Sequence, residues 1–408
     1  MLGANIFSVL FEIIDRKQSC KNIYMNNHIV EDPQYDKLTK TWSYHPMLRN
    51  YNIEFASLYA QYKTIDECCP DNLVHEWESV KKRHMAYIRS FQNSFCDSYD
   101  GCFYDMVPHS FVIDYFGVKN KITEHVLNNY KKPENYDFLV ELSGLVSEIE
   151  AKELKIDVTP ITKKLHQTKT RGFYKKLLTC GQRIEYNIFG TITGRLTTKK
   201  NSFPLLTLNK DYRDIIQPQN DWFVELDFNA AELRCLLALN GVSQPEQDIH
   251  DWHGNIFNRL ADRNLVRADI KQKIFSWLYG PIDASLGIPQ IEKYYNKRKT
   301  IDKYWNGEVV KNYYGREIIA DKFHSLNAII QSTTSDTFLR RAISVNKMLS
   351  GRKSFTMGLI HDSMVIDFDR EDKDVLEELI KEFGKTELGT FKVNTSLGTN
   401  FGNMKRFR

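Results

Sequence analysis

The sequence predicts an α+β fold that combines an antiparallel sheet with long helices. Three observations support it. The stretch "WFVELDF" (222–228) is typical of a short strand and continues directly into a helical pattern, "AAELRCLLAL". The stretches "FTMGLI" and "SMVIDFD" (355–360 and 363–369) are typical of the two arms of a hairpin. Before residue 180, apolar residues recur at helical spacing over long segments.

Composition limits the class of protein. The 408 residues are 42% hydrophobic and 26% charged, which is ordinary for a globular chain of two or three domains. A net charge of +4 permits a polyanionic partner, and seven cysteines, an odd number, indicate reduced thiols. Glu12 and Asp15 interrupt the apolar N-terminal stretch, and no run reaches the roughly 18 apolar residues of a membrane span. We therefore expect a cytoplasmic protein without a membrane partner.

Helical patterns dominate the first half of the chain. Residues 1–110 contain one clear example, "DNLVHEWESVKKRHMAYIRSFQNSF". Residues 110–180 contain "ITEHVLNNY" and "YDFLVELSGLVSEIEAKEL", followed by the basic and aromatic stretch "KTRGFYKK". We expect long helices here, and phosphate contacts or a solvated surface for the basic stretch.

A ladder of four side chains marks the stretch "RADIKQKIFSWLYG" (267–280). Arg267, Lys271, Phe275 and Tyr279 follow one another at intervals of four, so on a helix they form one stripe about 18 Å long. The two cations suit phosphates, and the two rings suit a sugar and a base, which together match a nucleoside triphosphate. The alternative is an amphipathic helix with ordinary core aromatics.

Two aspartates hold similar positions on the predicted strands. Asp227 lies near the end of the first strand, and Asp362 follows His361 at the turn of the hairpin. Two carboxylates brought together are what a two-metal phosphoryl transfer site needs, and two Mg²⁺ ions suit such oxygen ligands. The alternative is that each aspartate is a turn or strand-end residue.

These motifs resemble those of family A DNA polymerases. "DFNAAELR" (227–234), "RADIKQKIFSWLYG" (267–280) and "LIHDSMVIDF" (359–368) resemble motifs A, B and C in that order. "TITGRLTT" (191–198), "QDIH" (247–250) and "NAIIQ" (327–331) resemble three further segments of the family. The resemblance covers about residues 180–400 and favours a minimal, phage-type member of the family.

The resemblance implies a role for each matched residue. Asp227 and Asp362 would bind the metals, and Glu232 would exclude a ribose 2′-hydroxyl. The incoming deoxynucleoside triphosphate would be bound by Arg267, the catalytic Lys271, Phe275, Tyr279 and His250. Primer-template DNA would be contacted by Arg195, Asn327, Gln331 and His361.

The resemblance also implies a right-hand polymerase with an antiparallel-sheet palm, helical fingers and a helical thumb. The expected regions are 1–110 of unknown role, 110–180 thumb-like, 181–250 palm, 251–325 fingers and 326–408 palm. Residues 1–110 lack an Asp-x-Glu strand motif, so we expect no proofreading there. They are also where a processivity or replisome partner would bind.

One position departs from the family pattern. Motif C usually carries a glutamate after His-Asp, whereas this chain has Ser363. Single-subunit RNA polymerases have serine there, so RNA synthesis is an alternative function. A catalytically inactive template-binding protein of the same fold is another.

Overall fold

The structure is a computed structural model that describes residues 10–11, 23–25, 28–30, 35–94, 103–261, 266–280 and 289–407. The chain divides into two compact units, Met1–Gly144 and Leu145–Arg408. The N-terminal stretch with Glu12 and Asp15 lies outside the described residues, as do three of the seven cysteines. The described cysteines, all of them free thiols, are Cys68, Cys69, Cys180 and Cys235.

The first unit is mainly helical. Its elements are β1 (Leu10–Phe11), β2 (Ile23–Met25), β3 (His28–Val30), β4 (Lys40–Thr41), β5 (Glu54–Phe55), α1 (Ala56–Ala60), α2 (Val74–Ser94), α3 (His109–Asn129) and the start of α4 (Tyr136–Glu150). Strands β1, β4 and β5 form a parallel sheet, and β2 and β3 form a hairpin. Aromatic residues join α2 to α3, with Trp77 stacked on Tyr115 at 5.6 Å between ring centroids.

The second unit contains the remaining elements. Its first part has β6 (Lys155–Ile156), α5 (Thr159–Thr162), α6 (Thr168–Thr179), β7 (Tyr186–Asn187), β8 (Thr197–Thr198), β9 (Ile216–Gln217), β10 (Trp222–Phe228), α7 (Ala231–Leu239), α8 (Ile249–Ala261) and α9 (Arg267–Tyr279). Its second part has α10 (Pro289–Tyr295), α11 (Lys297–Tyr304), β11 (Val309–Lys311), β12 (Glu317–Ile319), α12 (Lys322–Met348), β13 (Phe355–Ile360), β14 (Ser363–Phe368), α13 (Leu376–Gly384), β15 (Lys385–Thr386), β16 (Gly389–Thr390), β17 (Val393–Gly398) and β18 (Lys405–Arg406).

A five-stranded antiparallel sheet lies at the centre of the second unit, in the order β13-β14-β10-β17-β18. Side chains alternate along a strand, and in β10 Val224, Leu226 and Phe228 are buried on one face. Phe228 stacks on Phe383 of α13 at 4.5 Å between centroids, so helices cover this face. The other face presents the polar residues Glu225 and Asp227.

Helices α7, α9 and α12 share a second apolar cluster. It includes Leu236 from α7, Ile274 from α9 and Ile329 from α12, each with no exposed surface. Burial of these side chains holds one face of α9 against the core and leaves its opposite face outward.

The α+β class predicted from the sequence is confirmed, including the strand at 222–228, the hairpin at 355–368 and the helix at 267–279. In the described part of the chain, no helix has the length and apolar character that crossing a membrane requires.

Candidate active site

The sheet register brings the two predicted metal ligands together. Asp227 of β10 pairs directly with Ser363 of β14, and Asp362 immediately precedes that serine. Asp362 occupies the two-residue turn between β13 and β14 with His361, whose φ of 54° lies in the left-handed region. The tight turn therefore places Asp362 at the end of the strand that neighbours β10.

The environment of both carboxylates opposes their ionisation. Burial raises the pKa of Asp227 to about 7, a hydrogen bond from Asn394 opposes this, and the charges of Asp362 and Glu225 add to it. Burial and the charge of Glu232 raise the pKa of Asp362. The negative charge of these two carboxylates is only partly compensated by neighbouring groups, and a bound cation would compensate it further.

The donor set at this face consists of carboxylate oxygens, which suit Mg²⁺. Among the described residues, no three or more His, Cys, Asp or Glu side chains are grouped as a ready-made metal site. Asp227 and Asp362 would therefore supply only part of a coordination shell, with water or substrate oxygens completing it. Mg²⁺ commonly binds proteins through one or two carboxylates plus substrate phosphates.

A chain of hydrogen bonds crosses three strands to reach Asp227. Asn394 of β17 donates from Nδ2 to Asp227 Oδ2 at 3.1 Å. Arg406 of β18 donates in turn to Asn394 Oδ1 at 2.5 Å. One carboxylate oxygen of Asp227 is thus fixed by the neighbouring strands.

Ser363, which stands where the family has glutamate, contacts a different carboxylate. Its Oγ lies 3.1 Å from Glu225 Oε1 and 3.2 Å from the carbonyl oxygen of Ile360. Glu225 is two residues before Asp227, so it lies on the same sheet face. The face therefore carries a third carboxylate, supplied by β10.

The four-residue ladder lies on the outward side of α9. Arg267, Lys271 and Tyr279 are exposed and Phe275 is partly buried, so the side chains of the ladder are accessible. The rings of Phe275 and Tyr279 stack at 6.0 Å, and Lys271 Nζ lies 5.9 Å from the Phe275 centroid. The stripe predicted from the sequence is present in the structure.

Asp248 holds the first cation of the ladder. Arg267 Nη2 lies 2.7 Å from Asp248 Oδ2, and its Nε lies 3.6 Å from Asp251. Burial opposes ionisation of Asp248, but hydrogen bonds from Arg267 and Asn229 outweigh it and lower its pKa to about 2. Asp248 is therefore a carboxylate throughout the ordinary pH range.

A buried arginine fixes the loop that carries Asp248. Arg234 of α7 is fully buried and donates to Asn229 and to the carbonyl oxygens of Pro245 and Gln247. Asn229 in turn donates to Asp248. This network connects the end of β10 to the start of α8.

Glu232 lies at the meeting point of two predicted site residues. Arg195 Nη2 approaches its Oε1 at 2.5 Å, and the Tyr279 hydroxyl donates to its Oε2. Burial and this contact with Glu232 raise the pKa of Tyr279. Glu232 lies in the first turn of α7, two residues after Ala230, which precedes the helix and whose φ of 53° is unusual for a residue other than glycine.

His250 lies close to the ladder. It is buried on α8, its ring lies 6.1 Å from that of Phe275, and burial lowers its pKa. Its Nδ1 has no hydrogen-bond partner in the described part of the chain.

A groove brings together three residues predicted to contact DNA. Arg195, Asn327 and Gln331 line a cavity of about 520 Å³. Its other lining residues are Thr191, Ile192, Thr193, Ile319, Ala320, Asp321, His324 and Ala328. The side-chain oxygen of Asn327 is buried without a described partner.

Gly194 allows the chain to approach Arg316 beside this groove. Its φ is 78°, and a Cβ atom there would lie 2.7 Å from the guanidinium of Arg316. Arg316 is itself held by Asp336 of α12 at 2.6 and 3.1 Å. Only glycine combines this backbone conformation with the close contact, which explains the glycine of "TGR".

Sequence reasoning missed several residues of the site. Asp248 lies in the segment "QDIH" (247–250), two residues before His250, which was predicted to bind the triphosphate. An acidic residue at that position indicates a partner for a nearby cation. Arg234 had the weaker signal of a cation within an apolar helix. No sequence signal pointed to Glu225, Asn394 or Arg406, because their positions depend on pairing between distant strands.

The fold of the second unit is of the α+β class, with the two predicted metal ligands at adjacent strands of its sheet. No protein-family model matches the sequence, and no curated protein matches it. A solved structure described as "POL domain of Pol1 from M. smegmatis complex with DNA primer-template and dNTP" matches with a TM-score of 0.57 and 11% sequence identity. The match covers 87% of this chain and 84% of that one. That domain belongs to a family A polymerase, so the predicted resemblance is confirmed at the level of fold.

Proposed function

We propose that this protein is a template-directed DNA polymerase that adds deoxynucleotides to a primer 3′ end by two-metal-ion nucleotidyl transfer. One observation carries the proposal: the sheet register sets Asp227 beside the turn that holds Asp362. The shared fold with the polymerase domain of Pol1 supports it.

The carboxylates of Asp227 and Asp362 would hold two Mg²⁺ ions. When bound, these ions would activate the primer 3′-hydroxyl and offset charge on the leaving pyrophosphate. Asn394 donates to one oxygen of Asp227, so the other oxygen would be the one left for a cation.

The outward side of α9 would bind the triphosphate. Arg267 and Lys271 supply the positive charge for phosphates, and the buried His250 lies nearby. Arg267 would leave Asp248 for the triphosphate, exchanging one anionic partner for another.

Sugar selection would depend on Glu232 and Phe275. Arg195 and Tyr279 hold the Glu232 carboxylate from two sides, which restricts the space that a ribose 2′-hydroxyl would need. Phe275 stacks on Tyr279 and presents its ring toward the incoming sugar and base under this proposal.

Under the same proposal, residues 181–250 and 326–408 form a palm, 251–325 fingers and 110–180 a thumb. Arg195, Asn327 and Gln331 would contact the primer-template minor groove, and His361 the primer end. Minor-groove acceptors occupy similar positions in all base pairs, so such contacts test pairing without reading sequence.

We further propose that this chain acts without proofreading, in the cytoplasm of a host cell if phage-encoded. Residues 1–110 would be the region for a processivity or replisome partner.

Primer extension tests the proposal. The protein is incubated with a labelled primer-template, Mg²⁺ and either deoxynucleotides or ribonucleotides, and the products are resolved by length. We expect template-dependent extension with deoxynucleotides, and no extension with EDTA. A mismatched 3′ end should remain intact when nucleotides are withheld.

The other outcomes identify the alternatives. Preferential use of ribonucleotides would favour the RNA polymerase alternative that Ser363 suggests. DNA binding without extension in either nucleotide pool would favour an inactive template-binding protein. Shortening of the primer would contradict the absence of proofreading.

A further inference from the structure

Helix α9 has a buried side opposite the ladder, and Trp277 lies on that side near the C-terminal end. Trp277 is two residues after Phe275 and two before Tyr279, so it points about 200° away from each of them around the helix. Its side chain is buried, with 4% exposed, whereas Tyr279 is 48% exposed. A contact that fixes Trp277 therefore also fixes the helical turn that carries Phe275 and Tyr279.

A buried lysine of α11 contacts Trp277. The ammonium group of Lys297 donates to the carbonyl oxygen of Trp277 and lies 4.2 Å from the centroid of its ring. Lys297 is 2% exposed. Because α9 ends at Tyr279, this carbonyl group is one of the last four, which have no N–H partner within the helix. Lys297 therefore supplies a donor to the end of α9 at which positive charge is favourable.

Glu292 of α10 holds the side chain of the same tryptophan. The indole Nε1 of Trp277 donates to Glu292 Oε2 at 2.8 Å. Burial lowers the pKa of Lys297, and the negative charge of Glu292 opposes this effect. The backbone and the side chain of Trp277 are thus each held by one polar residue, the first from α11 and the second from α10.

Helices α10 and α11 are in turn tied to α7. Asn240, which follows α7, donates from Nδ2 to the carbonyl oxygen of Tyr295 at 2.5 Å and to Thr300 Oγ1 at 2.9 Å. Tyr295 ends α10 and Thr300 belongs to α11, so one side chain joins both helices. The support of Lys297 therefore reaches the helix that carries Glu232.

Stability alone does not account for a charged residue at the Lys297 position. Replacing a buried ion pair by apolar side chains of similar volume is often neutral or stabilising. An apolar side chain would fill the same space, but it would not donate a hydrogen bond to the Trp277 carbonyl group. Such a bond has a preferred distance and angle, so it restricts the position of the last turn of α9.

We propose that Lys297 and Glu292, here called the Trp277 anchor, are positioning residues that orient the C-terminal turn of α9 for nucleotide binding. The inference rests on the proposed function, because the anchor acts through Phe275 and Tyr279, which that proposal assigns to the incoming nucleotide. The anchor contacts the buried side of α9, so it would not touch the nucleotide itself. Loss of the anchor should weaken nucleotide binding and leave the metal-binding carboxylates unaffected.

Steady-state kinetics tests the anchor with a matched control. The test variant is Lys297→Met, which keeps an unbranched side chain and removes the donor. The control is Lys299→Met, which changes an exposed lysine of the same helix. We expect KM for a deoxynucleotide to rise by about three-fold to ten-fold in the test variant, with kcat and primer-template affinity within about two-fold of wild type. All three quantities should match wild type in the control.

Amide hydrogen exchange, followed by mass spectrometry, tests the anchor without catalysis. In Lys297→Met the Trp277 carbonyl group loses its donor, so exchange in residues 275–280 should become about ten-fold faster while the central sheet keeps its wild-type rates. Glu292→Ala gives a second route to the same change, because Glu292 is only partly buried and alanine favours the helix. Its KM and its exchange should change in the same direction, and this variant decides the question if Lys297→Met does not fold.

Three results would overturn the inference. The first is wild-type KM and wild-type exchange in both Lys297→Met and Glu292→Ala, and the second is an equal change in Lys299→Met. The third is a parallel loss of kcat, primer-template affinity and thermal stability with faster exchange throughout the second unit, which would show a general structural role. Failure of the proposed function gives a different pattern: wild type would not extend primers, yet the faster exchange confined to residues 275–280 in Lys297→Met would persist.

Discussion

The acidic sheet face and the outward side of α9 position their side chains by different means. Asp227 and Asp362 owe their proximity to backbone pairing between β10 and β14 and to a two-residue turn. Arg267 and Tyr279 are instead held by side-chain contacts with Asp248 and Glu232. Under the proposed function, the sheet face is preformed, whereas α9 must exchange partners when substrate binds.

Backbone pairing and side-chain contacts differ in how easily they are lost. Backbone pairing in a buried sheet is lost only on unfolding, so the two carboxylates stay together despite their repulsion. The Arg267 side chain is 53% exposed, so a triphosphate could reach its guanidinium and replace Asp248 as its anionic partner. Substitutions on the sheet face should therefore affect the chemical step, and those on α9 should affect the choice and affinity of the nucleotide.

The largest effect is expected for Asp227→Asn or Asp362→Asn. Each change removes one metal-binding carboxylate, and a bound metal contributes several kcal/mol to phosphoryl transfer, so extension should fall by about a hundred-fold or more. Primer-template affinity should stay near wild type, because neither residue belongs to the groove that Arg195, Asn327 and Gln331 line. Near-normal extension in either variant would refute the two-metal assignment.

The sequence predicted the sheet strands, the hairpin and the α9 ladder because each depends on local pattern and turn chemistry. It could not predict which charges pair. Arg267 has Asp248 and Asp251 as partners, and that pairing depends on how α8 and α9 pack. The contact between Tyr279 and Glu232 joins residues 47 positions apart. Such contacts follow from tertiary packing, which no local pattern records.

The two units also differ in how much of their function the sequence predicts. In the second unit, ordered motifs connected the sequence to a site. In the first unit, aromatic pairs such as Trp77 and Tyr115 explain packing, but among its described residues no group points to a chemistry. The role of residues 1–110 as a partner-binding region stays a prediction.

Phe275→Tyr tests the α9 side of the comparison. A tyrosine hydroxyl can replace the 3′-hydroxyl that a dideoxynucleotide lacks by restoring a hydrogen bond near the triphosphate. A hydrogen bond worth about 1 to 3 kcal/mol would weaken discrimination against dideoxynucleotides by roughly ten-fold to a hundred-fold. The measurement is the ratio of incorporation efficiencies for a deoxynucleotide and its dideoxy analogue in both proteins. Equal ratios would show that Phe275 does not face the sugar.

The pH dependence of the free energy of unfolding tests the environment of Asp227 on the sheet face without an activity assay. The folded protein keeps a proton on Asp227 up to about pH 7, whereas the unfolded chain releases it near the ordinary value of 3.8. Between these values the folded state binds more protons, so this group makes stability fall as pH rises. The slope is at most about 1.4 kcal/mol per pH unit.

Thermal unfolding with EDTA measures this effect at several pH values between 5 and 7. The stability of Asp227→Asn relative to wild type should increase as pH rises, since asparagine does not ionise. Added Mg²⁺ should reduce the difference by stabilising the ionised carboxylate of wild type. A constant difference across this range would indicate that Asp227 ionises normally.

The smallest effect is expected for Arg406→Ala, which alters the sheet face at a distance. The guanidinium only donates hydrogen bonds, so it fixes the carbonyl oxygen of Asn394 toward itself and leaves the amide nitrogen to donate to Asp227. Without Arg406 the amide can rotate and present its oxygen to the carboxylate, which removes one hydrogen bond to a charged group. Extension should then fall by about two-fold to ten-fold, and Mn²⁺ binding, followed by electron paramagnetic resonance, should weaken by a similar factor. The control is Lys405→Ala, because Lys405 belongs to the same strand pair but alternates to the other face, so both quantities should stay at wild-type values. Equal loss of activity in the two variants would show that activity depends on the pairing of the strands and not on the side chain of Arg406. Asp227 would then owe its orientation to the sheet backbone alone.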